Sequence, residues 1–154
     1  MMKPRLNPYQ VAPELLNSLL ELEKSIRQSG IEHSLLLLIK TRASQINGCA
    51  FCIHMHTRDA RAAGESEERL YLLSAWRESP LYTARERAAL AWTEALTLLA
   101  ETGAPDAQYA ELSAQFDEAE RVKLTMAIVT INAWNRLAVG FRSVHPTQGD
   151  RAAA

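Results

Sequence analysis

Apolar residues return at helical spacing along almost the whole of this 154-residue chain, and no stretch alternates apolar and polar positions with the β-branched enrichment of a strand. That periodicity predicts an all-α fold, a compact helical bundle. Pro13 opens a first helix, with Leu15, Leu16, Leu19, Leu22 and Ile26 as its apolar stripe and Gly30 suited to a left-handed cap. A second helix is expected from about His33 to Gln45. Asn47-Gly48 interrupts it, and a third runs from the cysteine segment to Gly64. Ser66, followed by Glu67 and Glu68, starts a fourth helix with Leu70, Leu72, Leu73 and Trp76 apolar, which Pro80 stops. Thr83 with Glu86 has capping-box spacing for a helix to about Glu101, its inner face including Leu90, Leu96 and Leu99. A short helix around Ala107 to Ala114 leads to Asp117 and Glu120, a second capping box, before a last helix to about Val139 and Gly140. The tail beyond His145-Pro146 is read as frayed.

Composition narrows the setting. With 47% hydrophobic and 23% charged residues, the chain is ordinary globular material, long enough for one domain over 1–154 that buries roughly 70% of its unfolded surface. Seventeen basic residues against 18 acidic ones leave no basic footprint for a phosphate backbone, so nucleic acid is not an expected partner. The first eight residues hold no signal-peptide stretch, and no run of about 18 apolar residues could span a membrane. A cytoplasmic location is expected. In a reducing compartment two cysteines point to catalysis, metal binding or inert packing before a permanent bridge. Leu35 to Ile39 is apolar on every side of a helix, which predicts burial all round and suits a subunit interface. Trp76, Trp92 and Trp134 read as core or subunit-contact aromatics, and the Arg58, Arg61, Glu65, Glu67, Glu68 and Arg69 charges as a solvated face.

The chemistry concentrates in Cys49-Ala50-Phe51-Cys52-Ile53-His54-Met55-His56. At about 100° per residue, Cys52 lies about 60° from Cys49 and His56 about 20° from it, so the three share one helical face. His54 falls about 140° away. Asn47-Gly48 places the sulfurs in the first turn, where free backbone N–H groups and the helix dipole stabilise a thiolate; such thiols fall from a pKa of about 8.5 to roughly 3.5–7.5. His56 can take the proton of Cys52 or hold its thiolate, which favours Cys52 as the attacking sulfur and Cys49 as the resolving one. The reverse assignment stays open, because Cys49 lies nearer the helix end. Two other readings compete: a pair of buried small hydrophobes, and three corners of a zinc site that lacks a second cluster. His33 and His145 stand apart as surface or hydrogen-bonded histidines.

The run Arg42 to His56, continuing through Asp59-Ala60 to Ala63-Gly64, closely resembles the core of the carboxymuconolactone decarboxylase family, in its alkylhydroperoxidase D-like branch. Arg85 to Glu94 and Ile131 to Arg136 resemble the same branch, so the likeness spans about residues 30–140. The resemblance implies an all-α domain assembling into trimers or hexamers, no bound cofactor and no metal. It implies a peroxidase or disulfide reductase acting on a hydroperoxide or disulfide with an external thiol reductant. Cys52 would then react with peroxide, Cys49 resolve it, and His56 serve a proton relay. Lactone decarboxylation is the less favoured activity, since the decarboxylase members generally lack the cysteine pair. A non-enzymatic redox-sensing or binding module is the alternative. The family relay usually includes a glutamate twelve residues before the first cysteine, where this chain has Leu37. Glu86 and Glu94 are candidates to replace it, against the blander reading that each is a solvated or capping carboxylate.

Overall fold

A computed structural model describes residues 3–147 and contains nine α-helices and no strand among them. The expected fraying of the tail concerns in part residues 148–154, which lie outside the described residues. Helix α1 (Pro8–Val11) is a single turn that periodicity is too short to reveal; Asn7 caps it by accepting from the Tyr9 N–H at 3.0 Å. Helix α2 (Pro13–Arg27) starts at Pro13 as expected, but only Leu16 and Ile26 of its apolar stripe are fully buried, while Leu15 is exposed.

Helix α3 (His33–Ile46) is the hub, packing against α4 (Ala50–Ala62), α6 (Ala84–Thr97) and α9 (Glu118–Phe141). Three neighbours around one helix explain the apolar run. Leu35, Leu36 and Ile39 enter the main core with Ala89, Trp92, Leu124 and Ile128. Leu38 joins a second cluster with Leu73, Trp76 and Leu90, and Leu37 a third with Ala60 and Leu70. The run is thus buried on all sides within one chain, and its burial requires no second subunit.

Both capping boxes form. Thr83 and Glu86 close α6, and Asp117 and Glu120 close α9, each by reciprocal side-chain and backbone hydrogen bonds. The fourth expected helix is shorter than its pattern suggests: α5 (Glu67–Leu72) gives way to a 3-10 turn at Leu73–Ala75, which swings Leu73 and Trp76 inward and leaves Leu72 exposed. The helix opened by Thr83 stops at Thr97, and a separate turn, α7 (Leu99–Thr102), leaves Leu99 on the surface. Helix α8 (Asp106–Gln115) completes the set and packs on α6.

Trp76 and Trp92 are buried, as core aromatics should be, whereas Trp134 is half-buried and stacks on Tyr9 with ring centroids 6.5 Å apart. Arg69 departs from the solvated face expected for it. Its Nε donates to Glu65 at 2.8 Å, its Nη2 to Glu86 at 2.5 Å, and its guanidinium lies over the Tyr82 ring. Among the described residues, no helix is long and apolar enough to cross a membrane.

Candidate functional site

The turn that carries the cysteines is fixed from both neighbouring helices. Gly48 takes a left-handed conformation (φ 64°), which turns the chain out of α3 at low steric cost, and the Cys49 N–H donates to the Ser44 carbonyl at 2.9 Å. From α9, Asn132 and Asn135 reach across. Asn47 Nδ2 donates to the side-chain oxygens of Asn132 and Asn135 at 3.0 and 2.9 Å, and Asn135 Nδ2 donates to Ser44 Oγ at 3.0 Å. Asn135 is essentially buried, so this amide network stands in place of water and locks the loop.

Cys49 is the N-cap of α4, and its Sγ accepts from the Cys52 N–H at 3.3 Å. Cys49 and Cys52 form a disulfide with their Cα atoms 5.3 Å apart, and both residues are buried. A backbone donor in the first turn of α4 therefore points at sulfur, an arrangement that stabilises a thiolate once the bridge is reduced.

Two separate cavities flank this helix. The first, of about 290 Å³, is bordered by Cys49, Phe51, Val139, Arg142, Val144 and His145. His145, set aside on sequence grounds, comes here through the segment after α9, and its ring stacks on His54 with centroids 4.9 Å apart. The second cavity, of about 280 Å³, opens on His56 and is lined by Arg27, His33, Leu37, Lys40 and Asp59.

His56 is 6% exposed, and its Nε2 is buried without a hydrogen-bond partner. Burial pushes its pKa down to about 4, the Lys40 charge adds to that effect, and Asp59 opposes it. Lys40 is itself buried and forms an ion pair with Glu23 of α2. Burial pulls the Lys40 ammonium below its ordinary range against the opposing influence of Glu23.

The two candidate carboxylates lie elsewhere. Glu94 Oε1 accepts from Arg42 Nε at 2.7 Å and Trp76 Nε1 at 2.8 Å, and its Oε2 pairs with Arg77. Burial alone would raise the Glu94 carboxyl, but the bonds from Trp76, Arg77 and Arg42 hold it below the usual range. Glu86 caps α6 and binds Arg69. Neither lines the His56 cavity. The charged groups that do were not singled out by sequence. The available signal was Lys40, a lone cation directly after Leu35 to Ile39 on a helix apolar all round.

Comparison with known proteins places the chain in a family. The model of the carboxymuconolactone decarboxylase family matches residues 13–95, which include the dithiol, Lys40 and His56. The uncharacterized protein YdfG of Bacillus subtilis is 42% identical over 153 residues, covering 99% of both chains. A crystal structure from Agrobacterium tumefaciens, of a protein of unknown function suggested to be the antioxidant defence protein AhpD, is 51% identical. It superposes with a TM-score of 0.93 over 95% of this chain and 100% of that one. The debrominase Bmp8 in complex with 2,3,4-tribromopyrrole shares the fold, at 21% identity and a TM-score of 0.80, over 93% of this chain and 76% of that one. This chain belongs to the carboxymuconolactone decarboxylase family.

Proposed function

We propose that the chain is a thiol-dependent peroxidase or disulfide reductase of the alkylhydroperoxidase D-like type, working in a reducing cytoplasm as a homo-trimer or homo-hexamer. The observation that carries this reading is the Cys49–Cys52 disulfide at the capped start of α4. In the peroxidase cycle Cys52 attacks the terminal oxygen of a hydroperoxide. The O–O bond breaks, Cys52 becomes a sulfenic acid, and the alkoxide leaves with the thiol proton passed on by His56. The Cys49 thiolate then displaces the sulfenic oxygen as water, giving the disulfide. Two external thiols, or one dithiol, supply two electrons to reopen it: the first thiol forms a mixed disulfide, and the second releases the cysteine and leaves joined to the first as a disulfide. A substrate disulfide would be reduced by the same exchange run from the dithiol.

The test mixes reduced protein with cumene hydroperoxide and counts free thiols. Two thiols lost for each peroxide consumed, with turnover once a dithiol is added, is the expected result; no thiol loss and no peroxide consumption would overturn it. A second reading, a redox-sensing module without turnover, draws support from Leu37, a side chain on the His56 cavity that cannot move a proton. It predicts one reversible oxidation and no cycling.

A further inference from the structure

A buried ring nitrogen without a partner costs free energy unless something polar occupies the space before it. His56, whose Nε2 is such an atom, also borders the cavity of about 280 Å³, roomy enough for several waters. On the same wall stands Lys40, whose ammonium has three donors and gives one to Glu23. Glu23 of α2, the partner of Lys40, also meets Arg27 Nε at 3.5 Å, while Arg27 and His33, both exposed residues of the lining, form the mouth. Leu37 lies one helical turn before Lys40 on the same lining.

We propose that Lys40 and Glu23 are the positioning residues of the proton relay: His56 Nε2, cavity water and the Lys40–Glu23 pair connect the enclosed dithiol to solvent between Arg27 and His33. This rests on the thiol chemistry proposed above. A water here accepts from Lys40 and donates to His56 Nε2, so the ring nitrogen finds the partner it lacks. When Cys52 loses its proton to His56, the imidazolium donates through the same water toward the Glu23 carboxylate, and the proton returns by that route to the departing alkoxide. Neither Lys40 nor Glu23 changes oxidation state. The charged and titratable groups around His56 are Arg27 from α2, His33 and Lys40 from α3, and Asp59 on its own helix, with Glu23 of α2 paired to Lys40. Burial, first, and then Lys40 and Arg27 keep the resting ring neutral, and Asp59 opposes them. The pair thus does from α2 and α3 what a carboxylate at position 37 would do directly.

The experiment uses the reduced full chain and cumene hydroperoxide, with rates followed from roughly pH 3 to 9 so that the His56 pKa of about 4 is bracketed. Glu23→Gln should slow oxidation about 10²-fold, in line with loss of acid–base help. Glu23→Asp should restore most of the rate. Lys40→Met should move the acid limb of the profile up by about 1 pH unit as the cation near His56 disappears. Leu37→Glu placed on Glu23→Gln should recover about tenfold, by returning a carboxylate to the same cavity. A wild-type rate and profile in Glu23→Gln would overturn the relay. So would a loss that Glu23→Asp and Leu37→Glu both fail to repair in variants with wild-type helicity and melting temperature. Failure of the peroxidase reading is a different result: wild type itself consumes no peroxide. The relay is then read from the pH dependence of Cys52 alkylation by iodoacetamide in Cys49→Ser. A midpoint that moves with Lys40→Met and Glu23→Gln supports it, and an unmoved midpoint overturns it.

Discussion

The two ends of one helical face in α4 are held by opposite means. At the Cys49 end the polar groups are tied by hydrogen bonds: the cysteine N–H meets Ser44, the sulfur meets the Cys52 N–H, and Asn47 donates to both Asn132 and Asn135. At the His56 end the imidazole is buried beside a cavity with its Nε2 unmatched and a buried ion pair near it. The first arrangement fixes geometry, because a hydrogen-bonded network favours one low-energy form. The second keeps a proton site off its resting preference, which is the usual physical signature of a group with chemical work to do. The sulfur end is held still, and the imidazole end is kept neutral by burial.

Four measurements can break or sharpen that contrast. The largest effect is expected at the sulfur end. Cys52→Ser should abolish peroxide-driven oxidation, whereas Cys49→Ser should allow one sulfenic acid per chain, trapped by dimedone and detected by mass spectrometry. The opposite pattern would reverse the assignment of the two sulfurs. Next comes the pH response of the His56 end. Its folded pKa of about 4 lies below the unfolded value of 6.5, so the unfolded state binds the proton first as pH falls. The stability tied to the neutral ring is complete above pH 6.5 and is lost as pH drops toward 4, by about 3 kcal/mol in all. Urea titrations of wild type and His56→Gln should differ in this acid window, and parallel curves would show that the ring is not held neutral by burial.

Asn135→Ala should cost about 2 kcal/mol by removing the Asn135 acceptor of Asn47 Nδ2 and the amide donor to Ser44 Oγ, and should speed alkylation of the reduced cysteines as the loop loosens. An unchanged melting temperature would mean that the Cys49 end is less tightly fixed than its hydrogen bonds indicate. Smallest of all, Gly48→Ala should cost about 1 kcal/mol, because alanine resists the left-handed conformation even though no atom stands within 4 Å of the added Cβ. A loss several times larger would reveal a steric role for the turn beyond its backbone angle.

Much of this architecture was legible in the amino-acid sequence, for reasons that differ from residue to residue. Thr83 with Glu86, and Asp117 with Glu120, announced two helix starts because a capping box is a local device, complete within four residues. Cys49 and Cys52 were legible because a three-residue spacing at a helix start fixes their approach. The break of α5 into a 3-10 turn and the separation of α7 from α6 were not, since tertiary packing, not local pattern, determines where Leu72 and Leu99 face. Leu35 to Ile39 announced all-round burial but not its neighbours, which α3 finds in α4, α6 and α9. Glu86 and Glu94 stood in a segment resembling the family, yet their arginine partners Arg69, Arg42 and Arg77 come from other parts of the chain. Glu23 and Lys40, 17 positions apart and on different helices, could be joined only by the fold.

Cys49 caps α4 with a sulfur atom where serine, threonine, aspartate or asparagine would make the stronger cap. Selection for stability alone would therefore press this position toward oxygen. A lineage of such chains that abandons thiol chemistry has a single-step route to a firmer helix start, through Cys49→Ser. The residue at this position becomes a historical marker: sulfur retained against that pressure records continuing use of the thiol, and an oxygen-bearing side chain there records its release.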